Sequence, residues 1–140
     1  MRDIKFRAWS KSDNKYYYRV LVGNTDNTDD QYVCSSVYDG DKWAHFDEYC
    51  GVIEQYTGLK DKNGTEIYEG DIVSLRLWGS NGYEYENGIV RYYPPSAAFK
   101  WFSLEDDEND CNNYWLQHAD SDGREVVGNI HENPDLLEKK

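Results

Sequence analysis

Cysteine is scarce in this chain: three in 140 residues, at positions 34, 50 and 111, an odd number with no C-x-x-C pair. A disulfide framework needs an even set at close spacing, so this pattern argues against one and fits a reducing compartment. Histidine is as rare, at 45, 118 and 131. Structural zinc sites present paired ligands at short spacing, and Cys34, His45 and Cys50 do not form such pairs. No base is placed beside a thiol either, so neither a metal, nor a cofactor, nor a thiol nucleophile is expected. Basic residues are outnumbered, 15 against 27 acidic ones, which leaves a formal charge of −12. Proteins that track a phosphate backbone cluster Lys and Arg, so direct nucleic-acid binding is not expected. No apolar run approaches the roughly 20 residues of a membrane span. The opening Met1-Arg2-Asp3-Ile4-Lys5-Phe6-Arg7 alternates charge with apolar residues and holds no signal-peptide core. The expectation is a cytoplasmic protein with no membrane partner.

Aromatic residues are plentiful. They make up 16% of the chain, with 13 Tyr, 5 Trp and 4 Phe, and acidic disordered chains lack them. A chain of this length buries roughly 70% of its unfolded surface, enough for one core without a covalent staple. Ile4, Phe6 and Ala8 alternate at period two, and a turn-rich stretch leads to a second strand over 16–22. The polar loop 23–30 follows, then strands over 31–38 and 51–56. Asn63-Gly64 supplies the positive φ of a tight hairpin turn. Ile67-Tyr68 and residues 72–78 read as strands, with Glu69-Gly70 turning the chain between them. Residues 89–93 continue the sheet until Pro94-Pro95, which cannot donate ladder hydrogen bonds. Residues 99–104, 113–118 and 124–130 complete the set.

Helix is expected only at the end, where Asn133 reads as an N-cap, Pro134 as the first helical residue and Asp135 as a favourable charge at the positive end. The fold class is therefore mostly β, small barrel- or sandwich-like antiparallel sheets with one short C-terminal helix. One domain over 1–140 is expected, with a soft division near 57 into an N-terminal lobe (1–57) and a C-terminal meander plus helix (58–140).

Three motifs carry a family resemblance: Ile4-Lys5-Phe6-Arg7-Ala8-Trp9; the long run from Gln55-Tyr56-Thr57-Gly58-Leu59 through Tyr68-Glu69-Gly70-Asp71-Ile72-Val73; and Val126-Val127-Gly128-Asn129-Ile130-His131-Glu132-Asn133-Pro134-Asp135-Leu136-Leu137. Their order and identity resemble the YopX family of phage and prophage proteins. Ser10 departs from the acidic residue usual there, and residues 79–88 and 105–113 resemble variable insertions. The resemblance implies a β-rich protein of phage origin in a bacterial host cell, and it carries over no catalytic residue. It also makes Gly58, Gly64, Gly70, Gly128, Asn133 and Pro134 structural turn positions. The hairpin around Gly70 resembles that of an SH3-like barrel, an analogy of fold alone.

The residues themselves admit several chemistries. Glu66, Glu69 and Asp71 fall within six residues, a set a carboxylate-dependent hydrolase could use, yet clustering is common with 27 acids. The acidic run 105–110 lacks the order of a calcium loop, and Asp120-Ser121-Asp122-Gly123 reads as a hairpin turn. Gly79-Ser80-Asn81-Gly82 lacks the following Lys-Ser of a phosphate cradle. Tyr83 and Tyr85 alternate with Glu84 and Glu86, and anions beside the rings oppose stacking of a nucleic-acid strand. The acidic surface admits a DNA-mimicking inhibitor of a host DNA-binding protein. The reading that leads is a non-enzymatic protein-binding or assembly module whose partner is itself or a host or phage protein. Residues 78–88 read as a projecting arm, with Trp78, Tyr83 and Tyr85 as contacts in a homo-oligomer or with a partner.

Overall fold

Alternating apolar and polar residues, punctuated by Gly and Asn, drive most of the described segments into antiparallel strands. The computed structural model describes residues 3–24, 33–38, 40–46, 51–79, 81–105, 113–116 and 121–138. The chain divides into two compact units, Met1–Tyr56 and Thr57–Lys140.

In the first unit, β1 (Phe6–Ser10) lies between β2 (Lys15–Tyr17) and the first half of β6 (Gly51–Lys60), and β3 (Val20–Asn24), β4 (Val33–Tyr38) and β5 (Trp43–Phe46) form a separate meander. The segment 16–22, expected as one strand, is two. Tyr16 and Tyr17 pair with β1, whereas Val20 onward pairs with β4. The break falls at Tyr18 and Arg19, where the Arg19 carbonyl accepts the Tyr38 N–H and its guanidinium lies 4.2 Å from the Tyr38 ring centre. Ala8 and Val37 form a small core with Tyr17, Val20 and Ile53 around it. The opposite face of β1 carries Arg7, 5% exposed and bonded to Glu54, 3% exposed. Most of the expected loop 23–30 lies outside the described residues.

In the second unit the latter half of β6 lies beside β7 (Glu66–Tyr68), and the Thr57 hydroxyl donates to the Ile67 carbonyl at 2.8 Å. Asp61 organises the loop between these strands. Its carboxylate accepts N–H groups from Asn63, Thr65 and Val126. A five-stranded sheet of order β11-β10-β9-β8-β12 follows: β8 (Asp71–Gly79), β9 (Gly82–Tyr93), β10 (Ala98–Ser103), β11 (Asn113–Trp115) and β12 (Arg124–Asn129). Because β7 lies beside β6 while β8 lies between β9 and β12, the Glu69-Gly70 turn is a corner between two ladders. Gly70 pins that corner, donating to the Val90 carbonyl and accepting from Ile130.

Trp101 is fully buried among Ile67, Val73, Leu75, Val90 and Leu116. Its indole N–H donates to the Val73 carbonyl at 2.8 Å. The ring lies directly on Gly88, where an added Cβ would come within 2.2 Å of it, so only glycine fits. Asn87-Gly88 therefore lies in the interior of β9 (Gly82–Tyr93).

The terminal helix is a single 3₁₀ turn, Pro134–Leu137. Pro134 occupies its first position, but the Asn133 side chain does not cap it. That side chain turns back to accept the Asn129 N–H at 3.2 Å, while Asn129 Oδ1 accepts the His131 and Glu132 N–H groups. The polar side chains close the preceding turn instead, and four residues are too few for an α-helical ladder.

Candidate protein-contact surface

β8 and β9 pair over their full length, with Trp78 opposite Tyr83 and Gly79 opposite Gly82. Their neighbours stop short. β12 pairs with β8 only up to Leu75, and β10 pairs with β9 only from Gly88 onward. Among the described strands, residues 76–79 and 82–86 therefore ladder only with each other, as a two-stranded ribbon beyond the sheet. Period-two alternation places Arg76, Trp78, Tyr83 and Tyr85 on one face and Leu77, Glu84 and Glu86 on the other. Leu77 packs against the core cluster, and Glu86 accepts a hydrogen bond from the Ser103 hydroxyl at 3.0 Å. The aromatic face has no such cover: Trp78 is 75% exposed, Tyr83 62% and Tyr85 64%.

These rings are held by one another. The Trp78 and Tyr83 centroids lie 4.9 Å apart in an edge-to-face arrangement, and the Arg76 guanidinium carbon is 4.8 Å from the Tyr83 centroid. Such pairs contribute about 0.5–1.5 kcal/mol each in favourable settings, enough to bias rotamers without burying the rings.

Below the ribbon, Tyr85 and Asn87 form one wall of a cleft of about 530 Å³. Leu104, Glu105, Asp135, Leu136 and Glu138 also line it. These five residues come from the segment just after β10 and from the terminal 3₁₀ turn with the residue that follows it, away from Tyr85 in sequence. No sequence period or motif links them to Tyr85.

The other sequence candidates are dispersed. Gly58, Gly64 and Gly70 have φ of 88°, 80° and 81°. Gly128 lies against the Asn133 side chain, beside a register shift in β12. Asp71 is 2% exposed and accepts the Tyr68 N–H at 2.8 Å, which ties it to the corner beside the half-buried Glu66 and Glu69. Among the described residues no three His, Cys, Asp or Glu side chains gather as a metal site. The side chains of Cys34 and His45, and the whole of Cys50, Cys111 and His118, lie outside those residues, as do Asp120 and residues 106–110 of the acidic run. Ser121–Gly123 is a 3₁₀ turn leading into β12. No helix among the described residues is long and apolar enough to cross a membrane.

A second polar cluster lies in the first unit. Arg7 Nε donates to Glu54 Oε1 at 2.9 Å, and the Tyr16 hydroxyl donates to the same oxygen at 2.9 Å. The guanidinium carbon lies 4.2 Å from the Tyr16 centroid. Burial raises the Glu54 pKa above its ordinary value, against the opposing pull of Arg7 and the Tyr16 hydroxyl. The pair reads as a structural clamp between β1, β2 and β6.

Comparison with known proteins follows the same lines. No curated protein matches the chain. Among solved structures it is similar to protein EF1440 from Enterococcus faecalis, with 28% identity, a TM-score of 0.61, and 99% of this chain and 100% of that one covered. The yopX protein from Bacillus subtilis shares its fold at a TM-score of 0.58 and 15% identity, over 100% of this chain and 99% of that one. The family model described as YopX protein matches residues 5–138, and the chain belongs to the YopX protein family.

Proposed function

We propose that this YopX-family protein is a non-enzymatic binding or assembly module that engages another protein chain through the β8–β9 ribbon. It acts inside a bacterial cell in the service of a phage or prophage, as the motif resemblance implies. The observation that carries the reading is the exposed face of Trp78, Tyr83 and Tyr85 on a ribbon whose strands, among the described residues, ladder only with each other beyond the sheet. Exposed aromatics rimmed by polar residues mark interaction sites, and Tyr and Trp supply interface hot spots at low entropic cost. The carboxylates around the corner at Gly70 support this over hydrolysis, because Asp71 is committed to the Tyr68 N–H.

The test uses the purified chain and Tyr83→Ser/Tyr85→Ser as baits, with light scattering at tens of micromolar, roughly where weak interfaces fill. The parent is expected to self-associate or retain a partner, and the variant to lose that association at an unchanged melting temperature. A variant that keeps every association of the parent overturns the proposal.

A further inference from the structure

We infer that Asn81, at the tip of the β8–β9 ribbon, is a site of spontaneous deamidation to isoaspartate and aspartate. The chain holds three Asn-Gly dipeptides, at 63–64, 81–82 and 87–88. This pair is the most open to the chemistry, because glycine has no side chain to hinder attack by its own backbone nitrogen. The Gly82 nitrogen attacks Asn81 Cγ: the N–Cγ bond forms, the Cγ–Nδ2 bond breaks, and ammonia leaves with the Gly82 amide proton. Water then opens the cyclic imide at either carbonyl, giving isoaspartate or aspartate with no change of oxidation state. The backbone has to move to bring that nitrogen onto Cγ, so the rate at each site follows how firmly the fold holds it.

Asn87-Gly88 is locked. Gly88 is buried in the ladder between Val73 and Ser103 with Trp101 against it, and the Asn87 carbonyl accepts the Leu104 N–H at 3.0 Å. Asn63-Gly64 is exposed but tied down. The Gly64 N–H, on the attacking nitrogen itself, donates to the Asp61 carbonyl at 3.0 Å. The buried Asp61 carboxylate also accepts the N–H groups of Asn63 and Thr65 on either side. Asn81 is exposed too, and no atom crowds Gly82. Among the described residues, the strands that carry it, 76–79 and 82–86, ladder only with each other. An isolated two-stranded hairpin is marginal in water, so this tip opens at far lower cost than the sheet. The product puts a new negative charge, and in isoaspartate an added backbone methylene, close before Tyr83, which packs edge-to-face on Trp78.

The experiment incubates the purified chain in mildly alkaline buffer, folded and in guanidinium chloride. Each Asn-Gly peptide is followed by mass spectrometry, and an isoaspartyl methyltransferase marks the isoaspartate. In the folded chain Asn81 should convert at least about tenfold faster than Asn63 or Asn87, whereas in denaturant the three rates should agree within about threefold. Asn81→Gln, whose longer side chain closes the imide far more slowly, should remove the fast conversion and leave the fold intact, since the residue is exposed. Faster conversion at Asn63 or Asn87, or equal rates at the three sites in the folded chain, overturns the inference. So does an Asn81 that stays intact when folded yet converts in denaturant. The same ranking in denaturant shows that neighbouring residues, not the fold, set the rates, and also overturns it. These outcomes do not depend on what the ribbon contacts, so they stand apart from the Tyr83→Ser/Tyr85→Ser test of the binding-module reading.

Discussion

Replacing Gly88 by alanine adds one methyl group at the most crowded point of the second unit. Its Cβ would lie 2.2 Å from Trp101 Cε2, 2.5 Å from Nε1 and 2.6 Å from the Phe102 carbonyl oxygen. Carbon atoms pack at about 3.5–4.0 Å, so the indole must move by more than an ångström. Ile67, Val73, Leu75, Val90 and Leu116 surround it, all fully buried, and leave it nowhere to go. Overpacking of this kind costs about 1–3 kcal/mol, and displacing the indole N–H from the Val73 carbonyl adds about 1 kcal/mol. A total of roughly 2–4 kcal/mol should lower the melting temperature by about 10 °C in a chain of this size. Thermal and urea denaturation, followed by near-ultraviolet circular dichroism, measures it. Trp101→Phe removes the fused ring that meets the new methyl, so Gly88→Ala should cost less in that background, with the Phe102 carbonyl as the remaining obstacle. A melting temperature within about a degree of the parent, or full additivity with Trp101→Phe, would refute the reasoning.

Three further outcomes are expected. Gly64→Val forces a β-branched residue to a φ of 80° and should cost about 1–3 kcal/mol, read from urea unfolding, although nothing lies within 4 Å of the added Cβ. Glu54→Ala leaves the Arg7 guanidinium buried without its carboxylate and should cost about 3–5 kcal/mol, whereas Arg7→Met/Glu54→Leu should cost far less; equal losses would contradict the clamp. Asp61 gives an acid dependence. Burial opposes its charge, but the N–H groups of Val126, Thr65 and Asn63 together prevail and hold its pKa below the ordinary value of 3.8. Its contribution to stability is therefore complete above about pH 4 and is lost as pH falls from 3.8 through the lower folded value. Asp61→Asn should be less stable at neutral pH and should flatten that acid limb; an unchanged limb would show that Asp61 is not its source.

Local chemistry made much of this fold readable in advance. Ile72-Val73 and Ile89-Val90 are continuous apolar pairs, and they lie in the buried central strands β8 and β9. Pro94-Pro95 ends β9 because proline cannot donate to the ladder, and Gly64 takes the positive φ its turn requires. What escaped was long-range. Whether β7 pairs with β8 or with β6 depends on hydrogen bonds from Gly70 to Val90 and Ile130, 20 and 60 residues away in sequence. Gly88 resembles a turn glycine next to Asn87, and only the arrival of Trp101 on its face reveals a packing glycine. Asn133 and Pro134 carry a good helix-start signal, but the competing demand of Asn129 claims the cap side chain. For the contact surface, alternation gave the faces of Tyr83 and Tyr85. The cleft beside them joins residues 85, 104 and 136, which no period or motif links.

The most direct test of the ribbon as the contact element is site-specific photo-crosslinking in living bacterial cells. A benzophenone amino acid at position 83 is compared with the same group at Tyr18, which matches Tyr83 in exposure at 61% against 62%. Crosslinked protein adducts should form from position 83 and not from position 18. Adducts from position 18 alone, or equally from both, would contradict the account.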